Sequence, residues 1–271
     1  MRLVRLLSFV FASIPLVLHL PLSAQQAPSV AKDPQAVSIL MQALAAAGGA
    51  TTITAVSDYT ATGSITYHWN PQEQGSVTVR GLALDHIRVD ATLLRGVRSW
   101  IISDGLTLIK SEDGTVWQYP PSRLIPSSDA FPYQPALMPA SLALPHWQLA
   151  TTLNGSRFSL SYKGVVQLDG RSVHQVEAQD ILPGQRQTDS MLKYRTIDFF
   201  IDATTLQLIM TQDNIPKHII HQIRYSNYTN VRGLSVPLSI SEKMEGQSTW
   251  DIQLSQINFN TGLQDSTFTV Q

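Results

Sequence analysis

From Lys193 to Phe268 the chain repeats one pattern: stretches of alternating apolar and polar residues, separated by short turn signals and closed by an apolar tail. Period-two alternation belongs to strands with one buried face. The pattern therefore predicts a large antiparallel sheet, and a sheet of that size needs a cover for its apolar side.

Further strands are expected upstream. Tyr59, Ala61, Gly63, Ile65, Tyr67 and Trp69 alternate with Thr60, Thr62, Ser64, Thr66 and His68, and Asn70-Pro71 begins a turn. Shorter strands follow at 76–82, 86–93, 97–103, 106–111 and 115–119, with Asp104-Gly105 and Asp113-Gly114 as hairpin signals. Seven more are expected, at 157–162, 171–178, 193–201, 206–212, 218–227, 236–244 and 249–257, for about thirteen in all. An open twisted sheet of more than about ten strands tends to curl or split. The expected fold class is mainly β with flanking helices: a curved antiparallel sheet forming an incomplete, half-open barrel, covered by an N-terminal helix and a proline-rich lid.

The helix is expected after Asp33-Pro34, an N-cap followed by proline at the first helical position, with Val37, Leu40, Met41 and Leu44 as its apolar stripe and Gly48-Gly49 as its end. The lid is expected at about 120–150. Seven of the 15 prolines lie there, interleaved with Phe131, Leu137, Met138 and other apolar residues. Such proline density excludes a central strand or a long helix, yet the segment is too apolar to remain in water.

Arg2 and Arg5 lead into an apolar run that ends at Leu22-Ser23-Ala24, as in an export signal cleaved after Ala24. The expected organisation is a signal peptide at 1–24, a flexible lead at 25–32 and a single domain at 33–271, exported to the periplasm. No later apolar run reaches the roughly 20 residues of a spanning helix, so no transmembrane anchor is expected. With Cys 0 there is neither a disulfide framework nor a cysteine for N-terminal acylation. The net charge of -1, without a basic block, argues against nucleic acid as a partner.

Several local patterns occur in a set order: Phe158 to Gly164, Leu168-Asp169-Gly170-Arg171-Ser172-Val173-His174-Gln175-Val176, Phe200-Ile201-Asp202-Ala203-Thr204-Thr205-Leu206, Tyr225-Ser226-Asn227-Tyr228, Gly233-Leu234-Ser235-Val236-Pro237, and Asn260-Thr261-Gly262-Leu263 before Phe268. This order resembles the outer-membrane lipoprotein carrier (LolA-like) superfamily. The resemblance implies an incomplete barrel whose helix-covered concave face forms an apolar cavity, which in the carriers receives acyl chains and in related proteins senses or carries other lipids. The Asp and Gly residues in these patterns are turn formers.

Catalytic patterns are missing: there is no G-x-S-x-G, no P-loop and no H-E-x-x-H. His218 and His221, three apart on one strand, should face opposite ways. His174 is expected to be a hydrogen-bonded structural histidine. Asp85, Asp90, Glu112 and Asp198 show no pairing in their spacing. The expectation is a protein that is not an enzyme, needs no cofactor or metal, and has a lipid or acylated protein as its partner. The candidates to line a ligand cavity are Tyr67, Ile87, Val89, Trp100, Ile102, Phe158, Leu160, Ile197, Phe199, Ile219, Ile223, Trp250 and Ile252 on the strands, with Phe131, Leu137 and Met138 from the lid. The alternatives are an envelope sensor or regulatory module of the same fold, with a protein partner, and, less favoured, an enzyme. An outer-membrane barrel would call for aromatic girdles and long loops.

Overall fold

The computed structural model describes residues 30–103, 106–119, 141–181, 189–215 and 219–270. Thirteen strands form one antiparallel sheet: β1 (Asp58–Tyr67), β2 (Glu73–Leu82), β3 (His86–Leu93), β4 (Gly96–Ser103), β5 (Leu106–Lys110), β6 (Val116–Tyr119), β7 (Phe158–Leu168), β8 (Arg171–Asp180), β9 (Thr196–Asp202), β10 (Leu208–Ile215), β11 (Ile219–Val231), β12 (Leu234–Met244) and β13 (Gln247–Phe259). Their order across the sheet is β6-β5-β4-β3-β2-β1-β13-β12-β11-β10-β9-β8-β7. The sheet is thus two meanders joined at a β1–β13 seam, where Tyr59 pairs with Phe259 and Tyr67 with Trp250. It is not closed into a barrel: β6 and β7 are its two edges. Part of the β7 edge is covered by the chain just before the first helix. Asp33 N donates to Leu160 O (3.0 Å) and Leu160 N to Ala31 O (3.0 Å).

Among the described residues four α-helices accompany the sheet: α1 (Pro34–Ala46), α2 (Ala50–Thr54), α3 (His146–Asn154) and α4 (Asp189–Lys193). α1 begins where the sequence predicts, with Asp33 accepting from Gln35 N (2.7 Å). Its buried stripe is Ala36, Ile39, Leu40, Ala43 and Leu44. Met41 lies outside that stripe and is exposed. α3 lies partly in the segment expected to be a lid. His146, Trp147, Gln148, Leu149, Ala150 and Thr152 are all buried, so it has no polar outer face for periodicity to reveal.

Two turns carry the predicted chemistry. Asp202 Oδ1 accepts from Thr204 N (2.9 Å) and Thr205 N (2.8 Å) between β9 and β10, and Asp169 and Gly170 both adopt positive φ between β7 and β8. Pro237, near the start of the strand expected at 236–244, sits inside β12 opposite Tyr228. The pairing is irregular beside it, where Asn227 takes a positive φ of 54°, so proline's missing N–H interrupts a ladder that is already distorted. Lys193, expected to start a strand, closes α4. Asp104-Gly105, His218, the segment expected to be a signal peptide and most of the proline-rich segment lie outside the described residues.

The main core lies between the concave face and the helices. Leu40, Leu44, Ile53, Tyr59, Ile65, Val79, Ile87, Leu149, Phe199, Ile223 and Ile252 belong to it. The convex face has its own small cluster of Val173, Phe200 and Met210. Elsewhere on that face the C-terminal turn at Asp265–Phe268 docks, Phe268 stacking edge-on to His86 at 5.5 Å and Arg88 Nη1 donating to Thr267 O and Thr269 O (3.0 Å each).

Candidate functional site

In an antiparallel sheet, directly opposed residues share a face. One row of opposed residues runs Trp117, Ile109, Trp100, Val89, Val79 and Ala61. A second runs Tyr67, Trp250, Glu242, Ile223, Thr211, Phe199, Val176 and Tyr162. Both lie on the concave face. The register places there all thirteen candidate strand residues: Tyr67, Ile87, Val89, Trp100, Ile102, Phe158, Leu160, Ile197, Phe199, Ile219, Ile223, Trp250 and Ile252. Phe131, Leu137 and Met138 fall outside the described residues.

These residues differ in exposure. Ile87, Val89, Phe158, Leu160, Ile197, Phe199, Ile223 and Ile252 are buried in the floor. Tyr67, Trp100, Ile102, Ile219 and Trp250 are only partly buried. The helical cover explains the difference. α3 is fixed over one end of β1: Trp147 Nε1 donates to Ile53 O (3.2 Å), its ring lies 5.6 Å from that of Tyr59, and Ala143 N donates to the Tyr59 hydroxyl (3.4 Å). α1 packs on β7 and β8. The opposite ends of the central strands, and the β4–β6 wing, carry aromatic side chains that remain partly open. Trp117, on the concave side of β6, is 57% exposed.

At that far end the face becomes polar. Tyr67 stacks on Trp69 (4.3 Å), the Arg98 guanidinium lies 4.2 Å from the Trp69 ring centre, and Glu112 holds Arg98 through two hydrogen bonds of 3.0 Å. Beside Trp250, on β10–β12, is a buried ionic trio. His221 Nδ1 donates to Asp213 Oδ1 (2.7 Å) and Nε2 to Glu242 Oε1 (3.0 Å). Burial alone would depress the imidazole, but hydrogen bonds and charges from Asp213 and Glu242 prevail and push it up to about 9. His221 is therefore an imidazolium at neutral pH. Thr249 Oγ1 donates to Glu242 Oε2. Asp213 Oδ2 is buried without a hydrogen-bond partner, and the buried Tyr225 hydroxyl has Thr211 beside it.

Periodicity could not show this trio, because its members come from three strands. The carboxylates singled out in the sequence go elsewhere. Asp90 is held by Arg80, Arg88 and Ser99, Glu112 by Arg98, and Asp85 by His86 (2.8 Å). Asp198 accepts from Gln175 (3.1 Å) and lines a polar convex cleft of about 320 Å³ with Glu177, Gln179, Asp189, Lys193, Thr196 and Asn214. His174 bonds the Tyr162 hydroxyl (2.9 Å). Among the described residues no group of His, Asp and Glu is arranged to hold a metal ion, and no helix is long and apolar enough to cross a membrane.

No protein-family model and no curated protein sequence matches this chain. Solved structures do. A domain described as an outer membrane lipoprotein-sorting protein, from Vibrio parahaemolyticus, is 11% identical over 86% of this chain and 96% of its own, with a TM-score of 0.51. A LolA superfamily protein from Nitrosomonas europaea is 9% identical over 87% and 98%, with a TM-score of 0.51. A DUF1329 family protein from Desulfovibrio piger is 10% identical over 87% and 96%, with a TM-score of 0.50. At these identities the likeness is one of fold: the chain has the open, helix-covered LolA-like architecture.

Proposed function

We propose that this protein is an exported, periplasmic carrier or binding protein that reversibly buries the acyl chains of a lipid or an acylated protein against its concave face. The observation that carries this reading is the apolar face itself, continuous from the buried floor of Ile197, Phe199, Ile223 and Ile252 to the partly open Trp100, Ile102, Ile109 and Trp117. An acyl chain laid along such a surface gains about 0.8 kcal/mol for each CH₂ removed from water. Association and ordering costs offset much of that gain, which suits a grip that must be released. The reading is supported by the fold it shares with a domain described as lipoprotein-sorting. It calls for neither a cofactor nor a catalytic group.

The test is mass spectrometry of an organic extract of the protein, purified from its native host without detergent. The expected result is a lipid or acyl species in stoichiometric amount. A protein that is empty, and that also fails to enhance the fluorescence of a neutral hydrophobic probe, would overturn the reading.

A further inference from the structure

The trio at the end of the concave face has a particular electrostatic character. His221 spends both ring N–H groups on carboxylates, so the imidazolium has no donor left for a guest. Two carboxylates against one imidazolium leave negative charge in excess. The second oxygen of Glu242 is taken by Thr249, which leaves Asp213 Oδ2 as an acceptor without a donor. Asp213 is only 3% exposed, and an unmet buried carboxylate oxygen is costly. Tyr225, equally buried on the same face, has the Thr211 hydroxyl bonded to its own, and it lies near enough for the charge of Asp213 to act on it. Around them the partly open Tyr67, Trp250, Met244 and Ile219 mark where the apolar floor gives way to a polar end.

We infer that this end of the trough receives the head group of an amphiphile that carries hydrogen-bond donors and no negative charge, an O–H or N–H donating to Asp213 Oδ2. A hydroxyl that donates to Asp213 Oδ2 can also accept from the Tyr225 O–H, whereas an ammonium satisfies Asp213 alone. A carboxylate or phosphate head meets like charge, which costs affinity and sets selectivity. This inference rests on the carrier reading and adds the class of head group.

The test is competition, in the intact protein at pH 7.5, between a neutral fluorescent probe and three sixteen-carbon amphiphiles below their micellar concentrations: 1-monopalmitoylglycerol, hexadecylamine and palmitate. The glyceride and the amine should displace the probe at concentrations about tenfold lower than palmitate. Asp213→Asn, which replaces a charged acceptor by an amide, should erase that preference. Tyr225→Phe should weaken the glyceride more than the amine, and it serves as the variant of record should Asp213→Asn fail to fold. If all three displace the probe equally, or palmitate does so best, the head-group inference is overturned while the carrier reading stands. If none displaces it, the head-group inference is overturned as well; only a protein that fails to take up the probe at all counts against the carrier reading.

Discussion

Asp58, the first residue of β1, accepts from both the backbone N and the Oγ1 of Thr261 at 2.6 Å, and its other oxygen accepts from Gly262 N at 3.1 Å. The carboxylate is 3% exposed. Burial works against its charge, but these bonds outweigh burial and hold its pKa below the usual range. Asp58→Ala leaves several donors unmet and should cost about 2–3 kcal/mol, read as a lowered denaturation midpoint with an unchanged m-value. The group's folded pKa is depressed, so its contribution is present above pH about 4 and lost as pH falls further.

Two histidines should give stability a maximum near pH 6.5. Burial keeps His146 neutral and lowers its pKa to about 4. Below about 6.5 the unfolded chain takes up a proton there that the folded protein refuses, so stability falls as pH drops towards 4. His221 has the opposite sign. The folded protein keeps its proton up to about 9, so that stabilisation is complete below about 6.5 and vanishes as pH rises to 9. Calorimetry from pH 4.5 to 9 should show both limbs. His221→Gln should flatten the alkaline limb and His146→Gln the acid one.

Gly63 and Gly81 should not tolerate a side chain. A Cβ on Gly63 would run into the Gln253 carbonyl, where β1 and β13 shift register, and one on Gly81 would strike the Tyr59 ring. Backbone yields less readily than a ring, so Gly63→Ala should cost more than Gly81→Ala, each within about 1–3 kcal/mol. Thermal denaturation of the two variants ranks them.

Floor and wing of the concave face should separate in mutagenesis. Ile87 is fully buried, and Ile87→Ala should cost about 2–5 kcal/mol. Trp117 is exposed, so Trp117→Ser should change stability by less than about 0.5 kcal/mol while weakening probe uptake. An unchanged uptake curve for Trp117→Ser would remove the wing from the binding surface.

The strands were legible in the sequence because each has one wet face, and alternation records it. Thirteen expected strands correspond to β1–β13, with differences mainly at their ends. β7 runs on from Tyr162 to Leu168 through the bulge at Gly164, whose φ of 109° no local period announces. α3 was hidden for the opposite reason: covered on nearly all sides, His146, Gln148 and Thr152 left no stripe. The ionic trio was invisible too. His221 stands 8 residues from Asp213 and 21 from Glu242, and only the β10–β11–β12 register brings them together.

The β1–β13 seam also sets a timetable. The Asp58–Thr261 bond spans 203 positions, so the first strand waits for the last before the two meanders can join. Closing so long a loop before its contacts repay it makes folding slow, and until then the seam edge of β1 is open to wrong partners. No partly synthesised chain can finish this core. The joined core is therefore completed only after β13 has been made, however early the first meander forms.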